Sequence, residues 1–395
     1  MQLTKTTFFL LLWAFIACKN EPKNTAGTSA ALPMPTAANV KPEVILYVVN
    51  VDNLQLRDQP NTQSSQVLAK FREGSFVTGV GEKSTNQEEI NLRGIPFKDY
   101  FYKVTSTAPE QQTGWAFGGA LKAVYAGSRA GSPDLGTLVQ YNTFLMGLNS
   151  KDINSGRKVW DYVNTNFGNA SGALADAVYV LTVEYLTRME YEGEFYTITE
   201  KNNWTPEDYE AIVNNNFDMN KYPITKRLAE NGFRVETGEG MVFPMADWAQ
   251  LHAFFSPKAT PAMKAFLDQQ LIEQKDLESE DGGLVVSVAT LAERAVYWEK
   301  FNQEHPWFLL SERTKINEEW QRNVVISGLN NTPNRDYETG KIDEEFKKVW
   351  LEIPQKYPGT VLAAKVKELT DLCAANNWTY NETIENWMMK FQEGK

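Results

Sequence analysis

A change of hydrophobic period near residue 127 limits this chain more than anything else in it. Up to Tyr125 the apolar residues come in short runs bounded by turn formers, over 44–49, 54–57, 66–70, 76–80, 100–104 and 114–117. Such runs read as strands. After Gly127-Ser-Arg-Ala-Gly-Ser-Pro133 the apolar residues recur at helical spacing to the end of the chain. The expected architecture is therefore an α+β multidomain protein: a small all-β barrel over 43–125, a linker over 126–136 and a mostly α-helical domain over 137–395. A content of 42% hydrophobic residues in 395, with Trp 11 and Phe 21, is enough for more than one core.

Two segments precede the folded part. The run from Phe8 to Ala17 behind Lys5 is about ten residues, half of what a bilayer crossing needs, and has the size of a signal-peptide core. It ends in Phe15-Ile16-Ala17-Cys18, which resembles a bacterial lipobox, with Phe15 where Leu is commoner. The resemblance implies a signal peptide over 1–18, lipidation of Cys18 and attachment to the membrane through that anchor. Lys19, in place of an aspartate, fits an outer-membrane destination in the cell envelope. Residues 19–42 are rich in Ala, Thr, Pro and Asn and read as a flexible tether, spanning about 25–30 Å on average.

Within the β unit, Leu54, Leu56, Arg57 and Pro60, followed by Gly114, Trp115 and Leu121, resemble the Leu-x-Leu-Arg-x-x-Pro … Gly-Trp … Leu pattern of bacterial SH3-like (SH3b) domains. Gly74-Ser-Phe-Val77 and Tyr102-Lys-Val104 fit the turn and strand between them. Two departures are Phe101, where Trp is frequent, and a longer segment over 82–99. The resemblance implies a groove for peptidoglycan stem or bridge peptides, or for an envelope protein partner. It is expected near Tyr47, Asn53, Arg57, Tyr102, Trp115 and Phe117, since a barrel this small leaves aromatic rings partly exposed.

The helical part carries clear boundaries. Thr205-Pro206 and Thr260-Pro261 each place a capping hydroxyl before a proline, and Asn231-Gly232 closes a helix. Residues 233–237 and 241–243 predict one short β-hairpin. Trp298-Glu-Lys-Phe301 before His305-Pro306 parallels Trp350-Leu-Glu-Ile353 before Tyr357-Pro358. Each predicts a helical hairpin with its tryptophan buried at the crossing. This region also resembles, on Gly328-Leu-Asn-Asn-Thr-Pro333, uncharacterised helical domains of bacterial envelope proteins, which bring no activity with them.

Little in the sequence points to catalysis. The two histidines, His252 and His305, do not form a metal-binding pair, so neither a metal nor another cofactor is expected. Cys373 follows both histidines, the wrong order for a papain-like endopeptidase, and reads as inert core. There is no Gly-x-Ser-x-Gly elbow, phosphate-cradling loop or dinucleotide fingerprint. A formal charge of −11 with no basic patch argues against nucleic acid as a partner. Glu184, Glu190, Glu192 and Glu194, set among aromatic residues, are the carboxylates from which a peptidoglycan hydrolase would be built. A loop at Asp336, Glu338 and Gly340 has its glycine one place late for a helix-loop-helix calcium site. The expectation is a non-catalytic, lipid-anchored envelope protein with a helical scaffold. The alternatives are a carboxylate-dependent hydrolase and a structural assembly factor with no open groove.

Overall fold

The computed structural model describes residues 40–107, 111–191, 197–200, 202–238 and 240–392. Cys18, nearly all of the tether, Glu192 and Glu194 lie outside them. The N-terminal part is one antiparallel sheet of β1 (Val44–Val49), β2 (Leu54–Arg57), β3 (Val67–Phe71), β4 (Phe76–Leu92), β5 (Ile95–Ser106), β6 (Thr113–Phe117) and β7 (Leu121–Gly127). Its strand order is β3-β2-β6-β5-β4-β1-β7. The expected barrel is thus a seven-stranded sheet with β3 and β7 at its edges. β7 takes in part of the expected linker, and Pro42, placed in the tether by sequence, is buried at the sheet.

The segment over 82–99 is not a loop. β4 and β5 continue through it as a hairpin paired from Gln87↔Tyr100 to Leu92↔Ile95. Arg93 and Gly94, with φ 54° and 90°, make the tight turn. The arm folds back on the sheet: Arg93 pairs with Glu73 at 2.5 Å, and Thr62 Oγ1 donates to Glu88 at 2.8 Å.

β1 explains how the two parts join. It is hydrogen-bonded to β4 on one side and β7 on the other, and five of its six residues are buried. Ile45, Tyr47 and Val49 face the core of the sheet, whereas Leu46 and Val48 belong to the large core of the helical body. A continuous apolar run marks a strand covered on both faces.

The helical body comprises α1 (Leu135–Met146), α2 (Asn154–Phe167), α3 (Ala173–Tyr191), α4 (Pro206–Val213), α5 (Pro223–Glu230), α6 (Trp248–Phe255) and α7 (Pro261–Lys275), then α8 (Val288–Glu304), α9 (Ser311–Ser327), α10 (Glu344–Lys356), α11 (Val361–Ala375) and α12 (Glu382–Gln392). The predicted hairpin stands between α5 and α6 as β8 (Phe233–Gly238) and β9 (Met241–Ala246). It is not alone: two-residue ladders pair Ser279–Glu280 with Gly283–Leu284 and Gly328–Leu329 with Thr332–Pro333. Helix caps follow the sequence. Thr205 and Asp208 form a reciprocal capping box on α4, and Thr260 Oγ1 accepts from Met263 N–H on α7. Trp298 on α8 and Trp350 on α10 are both 0% exposed, and α9 and α11 supply their hairpin partners. A second core runs from α8 to α12 and encloses Cys373, whose thiol burial pushes up to about 11.

Candidate binding face on the sheet

The expected groove residues separate once the strands are paired. Arg57 on β2 stands opposite Trp115 on β6, and Trp115 stands opposite Lys103 on β5. Directly paired residues project to the same face. The three make one row across three strands, a half-buried indole between two cations, and Val67 of β3, 44% exposed, continues it beyond Arg57. The close approach of β2 and β6 requires Gly114, because a Cβ there would fall 2.5 Å from the carbonyl oxygen of Arg57.

The guanidinium of Arg57 is braced. It donates to Ser65 Oγ at 2.8 Å and to Gln55 Oε1, which fixes it against the β2–β3 loop. Lys103 Nζ lies 5.8 Å from the Trp115 ring centroid and 3.3 Å from Glu82 Oε2. Thr105 and Thr113, one pair further along the same face, share a hydroxyl hydrogen bond of 2.9 Å. Lys103 was not among the residues expected from sequence. Its signal was present, since alternation through Tyr102-Lys-Val104 turns Lys103 away from its neighbours.

The other expected residues lie elsewhere. Tyr47 and Phe117 are 6% and 3% exposed and belong to the sheet core, where Phe117 meets Phe101 edge-on at 5.7 Å. They are not groove walls, because the sheet closes over its own core and leaves them no free face. Burial, then Tyr102 and Asp99, push the Tyr47 hydroxyl well above its ordinary range. Tyr102 is half-buried, with its ring 6.0 Å from that of Tyr47. Burial raises its hydroxyl as well, followed by the charges of Asp99 and of Glu312 on α9. Tyr102 therefore belongs to the seam between sheet and helices. Asn53 is exposed in the β1–β2 turn with φ 60°, a conformation asparagine tolerates.

Of the expected carboxylates, Glu184 and Glu190 lie among the described residues, and they part company. Glu184 is exposed and pairs with Lys122 at 3.2 Å. Glu190 is turned inward, where Oε1 accepts from Ala246 N–H at 2.6 Å at the end of β9. Burial raises its carboxyl to about 7 against the opposing pull of that hydrogen bond and of Arg313. His252 is a rim residue, 2.7 Å from Asp268. Asp336 Oδ1 accepts from the N–H groups of Glu338 and Thr339, which makes that loop a side-chain-stabilised turn. Among the described residues no group of three or more His, Cys, Asp or Glu could hold a metal ion, and no helix is long and apolar enough to cross a membrane.

No protein-family model, curated protein or solved structure matches the chain.

Proposed function

We propose that this chain is a non-catalytic, lipid-anchored protein of a bacterial cell envelope. Its sheet unit is a variant of the SH3-like barrel that takes a short peptide along the Arg57–Trp115–Lys103 row, and its helices scaffold that unit. The observation that carries the reading is the row itself: an accessible indole flanked by two cations in strand register. An indole supplies contact area, and a cation on each side favours a ligand carrying carboxylates. Peptidoglycan stem peptides have that chemistry. Cys18, by its resemblance to a lipobox, would hold the unit at the membrane.

Binding of purified protein to isolated sacculi and to soluble stem peptides tests the reading. Trp115→Ala and Lys103→Glu should each lower affinity at least tenfold while the thermal transition stays cooperative. Unchanged binding by both variants removes the row from the function. Cys18→Ser should accumulate as unprocessed precursor, and normal maturation would reject lipidation.

A second reading, an assembly factor without an open groove, is favoured by the shared core at β1 and by the burial of Tyr47 and Phe117. It predicts that neither sacculi nor stem peptides are retained by the parent protein. A hydrolase built on Glu190 predicts release of muropeptides that Glu190→Gln abolishes.

A further inference from the structure

Two carboxylates meet one guanidinium at the boundary between the two helical cores. Glu273 stands near the end of α7, Glu278 in the connection that follows it, and Arg294 on α8. Arg294 is 4% exposed and donates from Nη1 to Glu278 Oε1 at 3.4 Å and to the carbonyl oxygen of Asp276 at 2.8 Å. Glu273 Oε1 accepts from Gln269 Nε2 at 2.7 Å and from the indole of Trp298 at 2.8 Å. Gln321, brought in by α9 and 1% exposed, joins the two acids: its amide nitrogen donates to Glu278 Oε1 and hydrogen-bonds Glu273 as well. Trp298 belongs to the first core, whereas Val324 and Val325, one turn beyond Gln321, belong to the second.

The charges here do not balance. Asp276, 4.0 Å from Arg294 Nη2, is 68% exposed, and Glu280 is exposed too, so water screens both. On α8 the Tyr297 hydroxyl stays uncharged and donates to the Ala265 carbonyl oxygen, and Glu299 turns to α11, where it accepts from Val361 N–H at 2.6 Å. On α9 Arg322 is taken up by Glu318 at 2.6 Å. Among the described residues Arg294 is thus the one cation set against Glu273 and Glu278, and ionising both acids leaves a net negative charge in a site poor in water. A second observation agrees. Gln321 Oε1 is buried without a hydrogen-bond partner, on the amide that already touches both carboxyls. An ionised carboxylate only accepts, whereas a protonated one has an O–H to give.

We propose that Glu273 and Glu278 hold one proton between them, and that its loss loosens the hold of α8 on α9 and on the segment over 276–284. Burial, and for Glu278 also the charge of Glu273, raise the two carboxyls against the pull of Arg294 and of the Gln269, Trp298 and Gln321 donors. Acids raised in this way support the closed arrangement in full below 4.5 and cease to do so as pH rises through about 7. The joint is closed in mildly acid surroundings and opens in alkaline ones. It is separate from the Arg57–Trp115–Lys103 row and does not depend on it.

Hydrogen–deuterium exchange of the full-length protein in mild detergent, at about pH 5 and about pH 8 and corrected for the intrinsic exchange rate, tests the proposal. Opening of α9 and of 276–284 should increase at least about tenfold between the two, with no such rise over β2 and β6. Glu273→Gln and Glu278→Gln should each remove most of the rise, because one carboxylate balances one guanidinium. Both keep a side-chain oxygen for the surrounding donors, so the fold is retained. Glu190→Gln, which neutralises a carboxyl outside the cluster, should leave the rise in place. Equal opening at the two pH values, a rise that survives either substitution in the cluster, its loss in Glu190→Gln, or a rise of equal size over β2 and β6 overturns the proposal.

Discussion

Gly232 lies against the indole of Trp160: a Cβ on Gly232 would stand 1.9 Å from Nε1 and 2.7 Å from Cδ1. Gly232 also has φ +83° and passes the chain from α5 into β8, while Trp160 is 5% exposed on α2. Gly232→Ala should therefore cost about 1 kcal/mol for the left-handed backbone and about 1–3 kcal/mol for overpacking. Urea denaturation should show a lowered midpoint with an unchanged slope. A midpoint equal to the parent's would mean that Trp160 can move aside.

That glycine was legible in the sequence, whereas the reason for its strictness was not. Asn231-Gly232 reads as a helix end from local rules alone, but the tryptophan that forbids a side chain there comes from another helix. The same division holds elsewhere. Thr205, Thr260, Trp298 and Trp350 declared their roles because capping and helical burial are local or periodic. The arm of β4 and β5 did not, since Glu-Lys-Ser-Thr-Asn-Gln-Glu-Glu over 82–89 lacks the apolar alternation by which a strand is read. The sheet face misled for a related reason. Val44–Val49 says that both faces are covered, yet it does not say by what, so Tyr47 reads as a groove residue when it faces the core of the sheet, and Leu46 and Val48 face the helices.

Asp208 is a second test of the fold. It accepts from Thr205 N–H at 3.0 Å and from the Tyr222 hydroxyl at 2.7 Å, and it pairs with the Lys221 ammonium. Burial alone would raise its carboxyl, but the Lys221 bond and the Thr205 and Tyr222 donors prevail and hold it at about 2. A depressed carboxylate stabilises the fold above its unfolded value of 3.8 and loses that contribution as pH falls through about 2. Asp208→Asn should cost about 2 kcal/mol at pH 7. The gap to the parent should close in acid. A gap independent of pH would show that packing, not charge, sets the cost.

Glu190 has the opposite sign. Its carboxyl is raised to about 7 from 4.5, chiefly by burial, and Asp176 and Glu278 are raised to about 6 and about 7 for the same first reason. A raised carboxylate keeps its proton in the folded state, so its contribution is complete below the unfolded value and is lost as pH rises through the folded one. Glu190→Gln keeps an oxygen to accept from Ala246 N–H and has no charge to bury. Relative to this variant the parent should become less stable between about pH 4.5 and 7, by on the order of 2–3 kcal/mol, and level off above. Parallel stability curves for the two proteins across that range would refute the assignment.

Trp298 and Trp350 occupy equivalent places in the two helical hairpins, but their indole N–H groups are used differently. Trp350 Nε1 donates to the carbonyl oxygen of Val325 on α9 at 2.8 Å, whereas Trp298 Nε1 donates to Glu273 Oε1 at 2.8 Å. Glu273 is held above its ordinary range by burial, and hydrogen bonds from Gln269 and Trp298, with the charge of Arg294, work against that rise by favouring its ionised form. Replacing either tryptophan by phenylalanine removes a buried hydrogen bond and some volume, for about 2–4 kcal/mol. Only Trp298→Phe should become more costly as pH rises, because the lost N–H matters most when Glu273 is charged. Chemical denaturation followed upward in pH from the ordinary carboxylate range should separate a constant penalty for Trp350→Phe from a growing one for Trp298→Phe. Equal growth in both, or in neither, would show that the carboxylate does not depend on the indole.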